Sequence, residues 1–449
     1  MGETMKRKEQ LAAIRAALKG GGDYSILSQI PPEDLAEIIA ELESEERVVV
    51  FNHLDLKTAG IVLDDTGPIT RKDLLDNIDR RFMAYVLGEM PADEAADAIA
   101  EVEPERAREL FAQMPTEDSE EIRDILKYPS DSAGGIMSPV LVSVEETMTV
   151  AQAIDRLRES EIDEQFYYTY VLDRRGLLIG VVPLRRFLTS QPGTPVREIM
   201  EEKVVKARVD MDQEEVAGLI RKYDLPALPV VDGAGKLVGR VTADDAIDVI
   251  TEEATEDIYL MAGTDDEEIE QRSAIGIARI RLQWLLICIC GSLVSGFVIR
   301  MFNHTLARTM ILVSFIPVIM ATGGNSGLQA STTVIRGLAT GTVKGSGILK
   351  EVAREVRVAA ILGAACGVLL SGVALIWSGN PMIGVIIGVS MFLAVTFSTI
   401  MGVFLPLFFN KVNIDPAISS GPLITTLNDA IGVSFYLITS TLFIRLLSA

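Results

Sequence analysis

The chain has 449 residues and a formal charge of −22, and that charge is unevenly spread: 59 of its 63 acids and 32 of its 41 bases precede residue 282. The net is therefore −27 before that point and +5 after it, which describes a strongly acidic soluble part joined to an apolar one. Such a surface repels phosphates, so no nucleic-acid partner is expected, and cations are favoured instead.

Residues 1–129 carry a helical pattern with an internal repeat. The stretches Ile30-Pro31-Pro32-Glu33-Asp34-Leu35, Met90-Pro91-Ala92-Asp93-Glu94-Ala95 and Met114-Pro115-Thr116-Glu117-Asp118-Ser119 resemble one another. In each, a proline stands where a helix tolerates a missing N–H, and acids follow in the first turn, where the dipole favours them. Apolar residues then recur at helical spacing, as in Leu35, Ile38, Ile39 and Leu42. Repeated helical units of this size stack into a superhelix. The N-terminus has no apolar signal-peptide core, so the acidic half is expected in the cytosol. His53 is a lone histidine there, and no nucleophile–base pair or phosphate loop appears anywhere, so an enzyme is not expected.

Residues 130–251 change to an α/β pattern that runs twice, with a period of about 60 residues. The first copy is a strand at Val140–Val144, a helix at Val150–Ser160, and strands at Tyr167–Asp173 and Leu178–Val182. The second is a strand at Val204–Val209, a helix at Gln213–Tyr223, and strands at Leu228–Asp232 and Leu237–Thr242. Ile136-Met137 and Ile199-Met200 precede the copies, and each later hairpin turns at a D-x-x-G-x-L/I-x-G sequence. These marks, with Thr242-Ala243-Asp244-Asp245, resemble a tandem cystathionine-β-synthase-type (CBS) pair. That resemblance implies a regulatory module, often one that binds adenine nucleotides through the acid at the Asp245 position, with Tyr168 a second candidate contact. The first copy has Arg186 in place of that acid. A carboxylate accepts bonds from ribose hydroxyls and an arginine only donates, so ATP is not expected as a firm ligand.

Residues 252–281 are read as a connecting helix, continuous from Ala243 or broken in two. Asp244, Asp245, Asp248, Glu252, Glu253, Glu256 and Asp257 recur along it at spacings that share a face, where like charges repel unless a cation intervenes. Carboxylate oxygens are what hard divalent ions take. A purely solvated face is the alternative.

Five apolar segments follow: Leu282–Phe302, Met310–Ile335, Val356–Trp377, Ile383–Phe409 and Pro422–Leu447. Each exceeds the roughly 20 residues needed to cross a bilayer. Cys288, Cys290 and Cys366 fall inside them and form neither a zinc pattern nor a disulfide framework. Basic residues Arg336, Lys344, Lys350, Arg354, Arg357 and Lys411 lie in loops that the positive-inside rule places in the cytosol, with the C-terminus outside. Asp429 lies two turns into the fifth segment, at an insertion cost of about 2.5–3.5 kcal/mol, which is the mark of an ion path more than of a structural acid. The second segment contains Ala321-Thr322-Gly323-Gly324-Asn325-Ser326-Gly327. Its glycines permit either a break that frees carbonyls toward a cavity or close helix packing.

In this order the motifs resemble the MgtE family of magnesium channels and transporters from end to end. The residues that carry it are the acidic repeat, Asp212-Gln213-Glu214-Glu215-Val216, Glu253-Ala254-Thr255-Glu256-Asp257-Ile258, Thr322-Gly323-Gly324-Asn325, Asp415-Pro416 and Pro422-Leu423 through Asn428-Asp429 to Gly432. The resemblance implies a homodimer in a cell membrane (inner or plasma), multi-pass, with a pore between two protomers. It implies that Asp429, with Asn325, Asn428 and Gly324, meets hydrated Mg²⁺, with Mn²⁺, Co²⁺ and Ni²⁺ as further candidate ions. It implies regulatory Mg²⁺ at Asp93, Asp97, Asp212, Glu214, Asp224, Asp245, Asp248, Glu253, Glu256, Asp257 and Asp415, closing the pore when the ion is abundant. Two positions depart from the pattern: Gly421 stands where the family often has Asn, and Leu328 where it is often polar. A nucleotide-regulated secondary transporter, with the CBS pair as main sensor, is the alternative function.

Overall fold

The computed structural model describes residues 2–20, 24–160, 166–265, 268, 271, 273–343, 346–412, 414–419 and 421–448. They fall into two compact units, residues 1–253 and 254–449.

The first unit opens with helix α1 (Gly2–Gly20), followed by the acidic repeat: α2 (Pro32–Ala40), α3 (Ser44–Phe51), α4 (Leu56–Asp65), α5 (Pro68–Asn77), α6 (Arg80–Glu89), α7 (Ala92–Ala100), α8 (Pro104–Gln113) and α9 (Thr116–Ile125). Pro31, Pro91 and Pro115 are the N-cap residues of α2, α7 and α9, so the repeated motif is a helix-start signal. The helices stack at alternate positions. Helix α2 packs on α4, α4 on α6 and α6 on α8, while α3 packs on α5 and α7 on α9. Leu35, Ile38, Ile39, Leu63, Leu74 and Leu87 are fully buried in the shared core, each contributing about 1.5–3 kcal/mol. Two arginines brace the stack in the same way. Arg47 donates to the Ile39 and Ala40 carbonyls at 3.1 and 2.9 Å and reaches Asp73 at 3.1 Å. Arg71 donates to the Leu63 and Asp64 carbonyls at 3.2 and 2.6 Å and reaches Glu101 at 3.0 Å. Each satisfies carbonyls that a helix end leaves orphaned.

The two CBS copies have identical topology. Strand β1 (Ser143–Glu145) pairs parallel with β2 (Tyr168–Leu172), which pairs antiparallel with β3 (Leu178–Pro183); β4 (Ala207–Arg208), β5 (Ala227–Val231) and β6 (Leu237–Thr242) repeat the order. Helices α10 (Val150–Glu159), α11 (Leu184–Thr189), α12 (Val196–Ile199) and α13 (Gln213–Tyr223) complete the pair. The first strand of each copy is shorter than the apolar run suggests, because Val140–Val142 and Val204–Val205 lie outside the ladder. The sequence marks acquire a reason. Asp173 accepts from the Arg175 and Leu177 amides, Asp232 from the Ala234 and Lys236 amides, and Gly176 and Gly235 take φ of +80° and +84°, which only glycine adopts freely. The methionines exchange partners: Met137, ahead of the first copy, packs on Gly239 of the second, and Met200 packs on Gly180 of the first.

Helix α14 runs from Ala243 to Ala262 and stops at Gly263, whose φ of +76° ends it, so the region to residue 281 is not one helix. The first membrane helix, Ala274–Met301, starts eight residues earlier than its apolar run, because the Ser273 side chain caps it at the Gly276 amide. A short helix at Asn303–Arg308 and a 3-10 turn at Met310–Phe315 lead into the second membrane helix, Ile316–Ala339. Pro317 sits in the first turn of that helix and does not kink it. The third helix, Ser346–Ser378, extends well ahead of Val356, and Arg354 pairs there with Glu351 and, at 3.2 Å, with Glu355. The fourth is Pro381–Lys411 and the fifth Gly421–Ser448. Among the described residues five helices are long and apolar enough to cross a membrane.

The second helix is unbroken across Gly323-Gly324, so of the two readings of its glycines close packing holds and the break does not. The small residues serve packing. A side chain on Gly402 of the fourth helix would collide with the Gly327 carbonyl, and one on Gly323 would stand 3.0 Å from Ser398 Oγ. The Ser326 and Thr399 hydroxyls bond at 2.7 Å across the same seam. Tyr436 of the fifth helix, fully buried, donates to the Leu312 carbonyl at 2.8 Å.

Candidate ion-binding sites

The first candidate site lies where the helical repeat meets the CBS pair. Helix α7 carries Asp93, Glu94 and Asp97 at its acidic start, α4 ends in Asp64-Asp65, and α14 supplies Asp245, Asp248 and Glu252. Burial pushes the Glu94 carboxyl well above the usual carboxylate range. The hydrogen bond it donates to Asp64 and the charges of Asp64, Asp93 and Asp245 add to the shift. Asp97 rises to about 7, mainly by burial and then by the Glu252 charge, with Arg71 opposing. Asp245 and Asp248 are raised by burial first; Asp244 and Asp248 then act on Asp245, and Asp64 on Asp248. Asp65 is raised by burial and by Asp64, Glu33 and Asp248. Acids of two domains thus face one another with few bases between them. Among the described residues no three or more are arranged as a ready metal cage, so the shared property is mutual repulsion.

The structure brings Asp93, Asp97, Asp245 and Asp248 into this region and places the other expected regulatory acids elsewhere. Asp212 caps α13, accepting from the Glu214 amide at 2.9 Å, and Asp224 closes that helix in a left-handed turn at φ +51°. Glu253 accepts from Gln213 Nε2 at 2.7 Å. Glu256 and Asp257 lie further along α14. Asp415 is exposed and accepts from the Ala417 amide at 2.8 Å. Tyr168 lies on β2, and Asp245 accepts from the Thr242 amide and hydroxyl, both at 2.7 Å. Arg186 is engaged with Glu201 at 2.8 Å and donates to the Ile199 carbonyl at 2.7 Å.

The second candidate site is in the membrane helices. Asp429 is half-buried, and a side chain on Gly324 would stand 3.8 Å from its Oδ1. The fifth helix therefore presents its one acid to a glycine of the second. Asn428, beside it, is fully buried and turned to Gly327, while Asn325 is exposed on another face of the second helix. Gly324 and Asp429 are thus brought together, and Asn325 and Asn428 are separated by helix geometry. Gly421, at φ +52°, is required by close approach: any side chain there would collide with the Met261 carbonyl, and one on Gly263 would collide with Pro422. The missing Asn at 421 therefore leaves room for the chain where α14 ends.

Sequence reasoning passed over several of these residues. Asp64 and Asp65 end α4, where the helix dipole disfavours anions, and that misplacement was a readable signal. Glu94 carried no signal beyond the acidic background, while Glu252 stood among the acids sharing a face of the connecting helix without being set apart as a ligand. On the second helix Asn325, Gln329, Thr332, Thr333 and Arg336 are all exposed at helical spacing, a polar stripe that hydrocarbon does not solvate.

Comparison with known proteins adds three findings. The MgtE family profile, described as a divalent cation transporter, matches residues 316–439; the MgtE intracellular N domain matches 30–131; CBS domains match 133–193 and 196–252. The chain is 36% identical to magnesium transporter MgtE of Thermus thermophilus over 98% of its own length and 99% of the relative's. It is 33% identical to that of Bacillus subtilis over 99% and 100%. Among solved structures it resembles the cytosolic domain of the Mg²⁺ channel MgtE in complex with ATP, at 38% identity and a TM-score of 0.51, covering 53% of this chain and 99% of that one. The soluble part of a magnesium transporter matches at 30% identity and a TM-score of 0.50, covering 55% and 99%.

Proposed function

This chain belongs to the MgtE family of magnesium transporters, and from that premise we propose that it is a Mg²⁺-selective channel, importing the ion and held closed by Mg²⁺ on its cytosolic side. The observation that carries the proposal is Asp429, a half-buried carboxylate set against Gly324 in a helix long enough to span a membrane. Seven residues from Pro422, it lies about 10 Å along the helix at 1.5 Å per residue. At that depth an ion can arrive with water still attached, as suits Mg²⁺, which dehydrates reluctantly and is held by one or two carboxylates. The exposed stripe from Asn325 to Arg336 supports a water-filled path covered by a second copy of the chain, hence a homodimer. Basic loops on the cytosolic side put the C-terminus outside.

Closure follows from the acids. Mg²⁺ among Asp64, Asp65, Asp93, Glu94, Asp97, Asp245, Asp248 and Glu252 screens their repulsion and holds the helical repeat against the CBS pair. When the ion falls, repulsion parts them, so the ion selects the closed state by differential binding. Helix α14, which carries three of these acids, ends at Gly263 against Pro422, seven residues before Asp429. The test of the pore is Mg²⁺ flux into proteoliposomes for Asp429→Asn. Loss of flux with the protein still folded supports it, and unchanged flux sinks it.

A nucleotide-regulated transporter is the second reading, favoured by the ATP complex of the related cytosolic domain. Here Arg186 is tied to Glu201 and Asp245 to Thr242, so ATP is read as a modulator at most. Titration of the full chain with ATP, with flux followed in parallel, separates the two. Flux that requires ATP at every Mg²⁺ concentration would favour the second.

A further inference from the structure

We infer that Asn428 is a positioning residue, which holds the fifth helix at the rotation that aims Asp429 by lodging its buried amide on Gly327, at the seam with Ser398 of the fourth helix. The side chain is fully buried, and among the described residues neither its Nδ2 nor its Oδ1 has a hydrogen-bond partner. It is seated on Gly327: a Cβ at that glycine would collide with the Asn428 amide and would stand 2.9 Å from the Ser398 carbonyl. Ser398 of the fourth helix is itself fully buried with its Oγ unpaired, and that hydroxyl faces Gly323. The fourth and fifth helices therefore each set an unpaired, buried polar side chain against a glycine of the second: the Ser398 hydroxyl at Gly323 and the Asn428 amide at Gly327.

The neighbouring residue gives this seating its meaning. Asn428 faces Gly327 and Asp429 faces Gly324, glycines one helical turn apart. The second helix thus receives the two side chains side by side, and lodging one fixes the direction of the other. Packing alone does not require an amide there, since a leucine has the same branched heavy-atom skeleton and leaves no unpaired polar atom, and an unsatisfied buried amide destabilises.

The inference rests on Asp429 as the carboxylate that meets the ion. Its test is Mg²⁺ flux against Mg²⁺ concentration in proteoliposomes, with thermal unfolding in detergent, for Asn428→Leu, Ser398→Ala and Asp429→Asn. Asn428→Leu is expected to raise the half-saturating concentration about tenfold, as loss of a ligand's supporting partner does, without lowering the unfolding midpoint. Ser398→Ala, which removes one hydroxyl, should shift half-saturation the same way by less, and it carries the test if Asn428→Leu does not fold. Unchanged half-saturation in either folded variant overturns the inference, whether or not the unfolding midpoint falls. Full flux in Asp429→Asn overturns the pore reading itself, so the two failures are distinguishable.

Discussion

The acids between the helical repeat and the CBS pair and the acid of the fifth membrane helix place the same functional group in opposite surroundings. In the cytosolic unit many carboxylates are pressed together, with Glu94 and Asp97 driven up by burial and by like charge. In the membrane unit a single carboxylate faces a glycine. In the proposed gate the crowd stores repulsion that a divalent ion relieves, so it would respond to the amount of ion present. In the proposed pore the solitary acid would offer an ion one charge per protomer and leave it its water, so that the ion passes. Sensing needs many acids that cannot all ionise together, and passage needs few.

The largest effect expected is at the solitary acid. Asp429→Asn should cut Mg²⁺ flux by more than the roughly 10–100-fold that loss of a ligand's supporting partner costs, whereas removing any one acid of the crowd should leave maximal flux close to wild type. Equal losses in the two regions would break the comparison.

Protons offer the next test, because they should imitate Mg²⁺ in the crowd. A carboxyl whose pKa is raised in the packed state keeps a proton there that the separated state has released. Packing is therefore favoured at low pH and is lost as pH rises through about 7 for Asp97 and further for Glu94. Without Mg²⁺, amide protection in α4 and α7, measured against the intrinsic exchange rate at each pH, should rise as pH falls from about 8 to about 5. With Mg²⁺ at the higher pH it should rise to a similar degree. Protection that falls on acidification over this range would contradict the sign.

A smaller effect probes the scaffold that sets the solitary acid. Gly402→Ala places a methyl against the Gly327 carbonyl, and overpacking of that kind costs about 1–3 kcal/mol. The unfolding midpoint in detergent should fall, and an unchanged midpoint would mean that the second and fourth helices do not need this close approach.

Most of the fold was legible from the residues, for reasons that can be named. The proline-acid motifs mark helix starts, the repeated D-x-x-G turns mark hairpins, and the five apolar runs mark the membrane helices. The misses have physical causes too. Capping by Ser273 and pairing by Arg354 carry two membrane helices beyond their apolar runs, and hydropathy does not register either. A break in the connecting region was one of its two readings, but its place at Gly263 was not legible because the acidic spacing continues on both sides of it. Of the sites, Asp429 was visible because a charge in an apolar run is expensive. Asn428 and Asn325 were visible as polar residues, but their opposite facings depend on helix rotation, which a linear motif does not convey. Asp97, Asp245 and Glu252 were visible as acids and Asp64 as an anion at a helix end, while their gathering with Glu94 into one cluster appears only once the repeat is folded against the CBS pair.

In the proposed gate, relief of acid–acid repulsion by cytosolic Mg²⁺ closes the pore. Its most direct test is Mg²⁺ flux through the full chain in proteoliposomes, with Mg²⁺ on the cytosolic face raised stepwise, for wild type and for Glu94→Gln combined with Asp97→Asn. The account predicts that wild-type flux falls as cytosolic Mg²⁺ rises and that the double variant loses this dependence while staying folded. Wild-type flux indifferent to cytosolic Mg²⁺, or a double variant as sensitive as wild type, would contradict it.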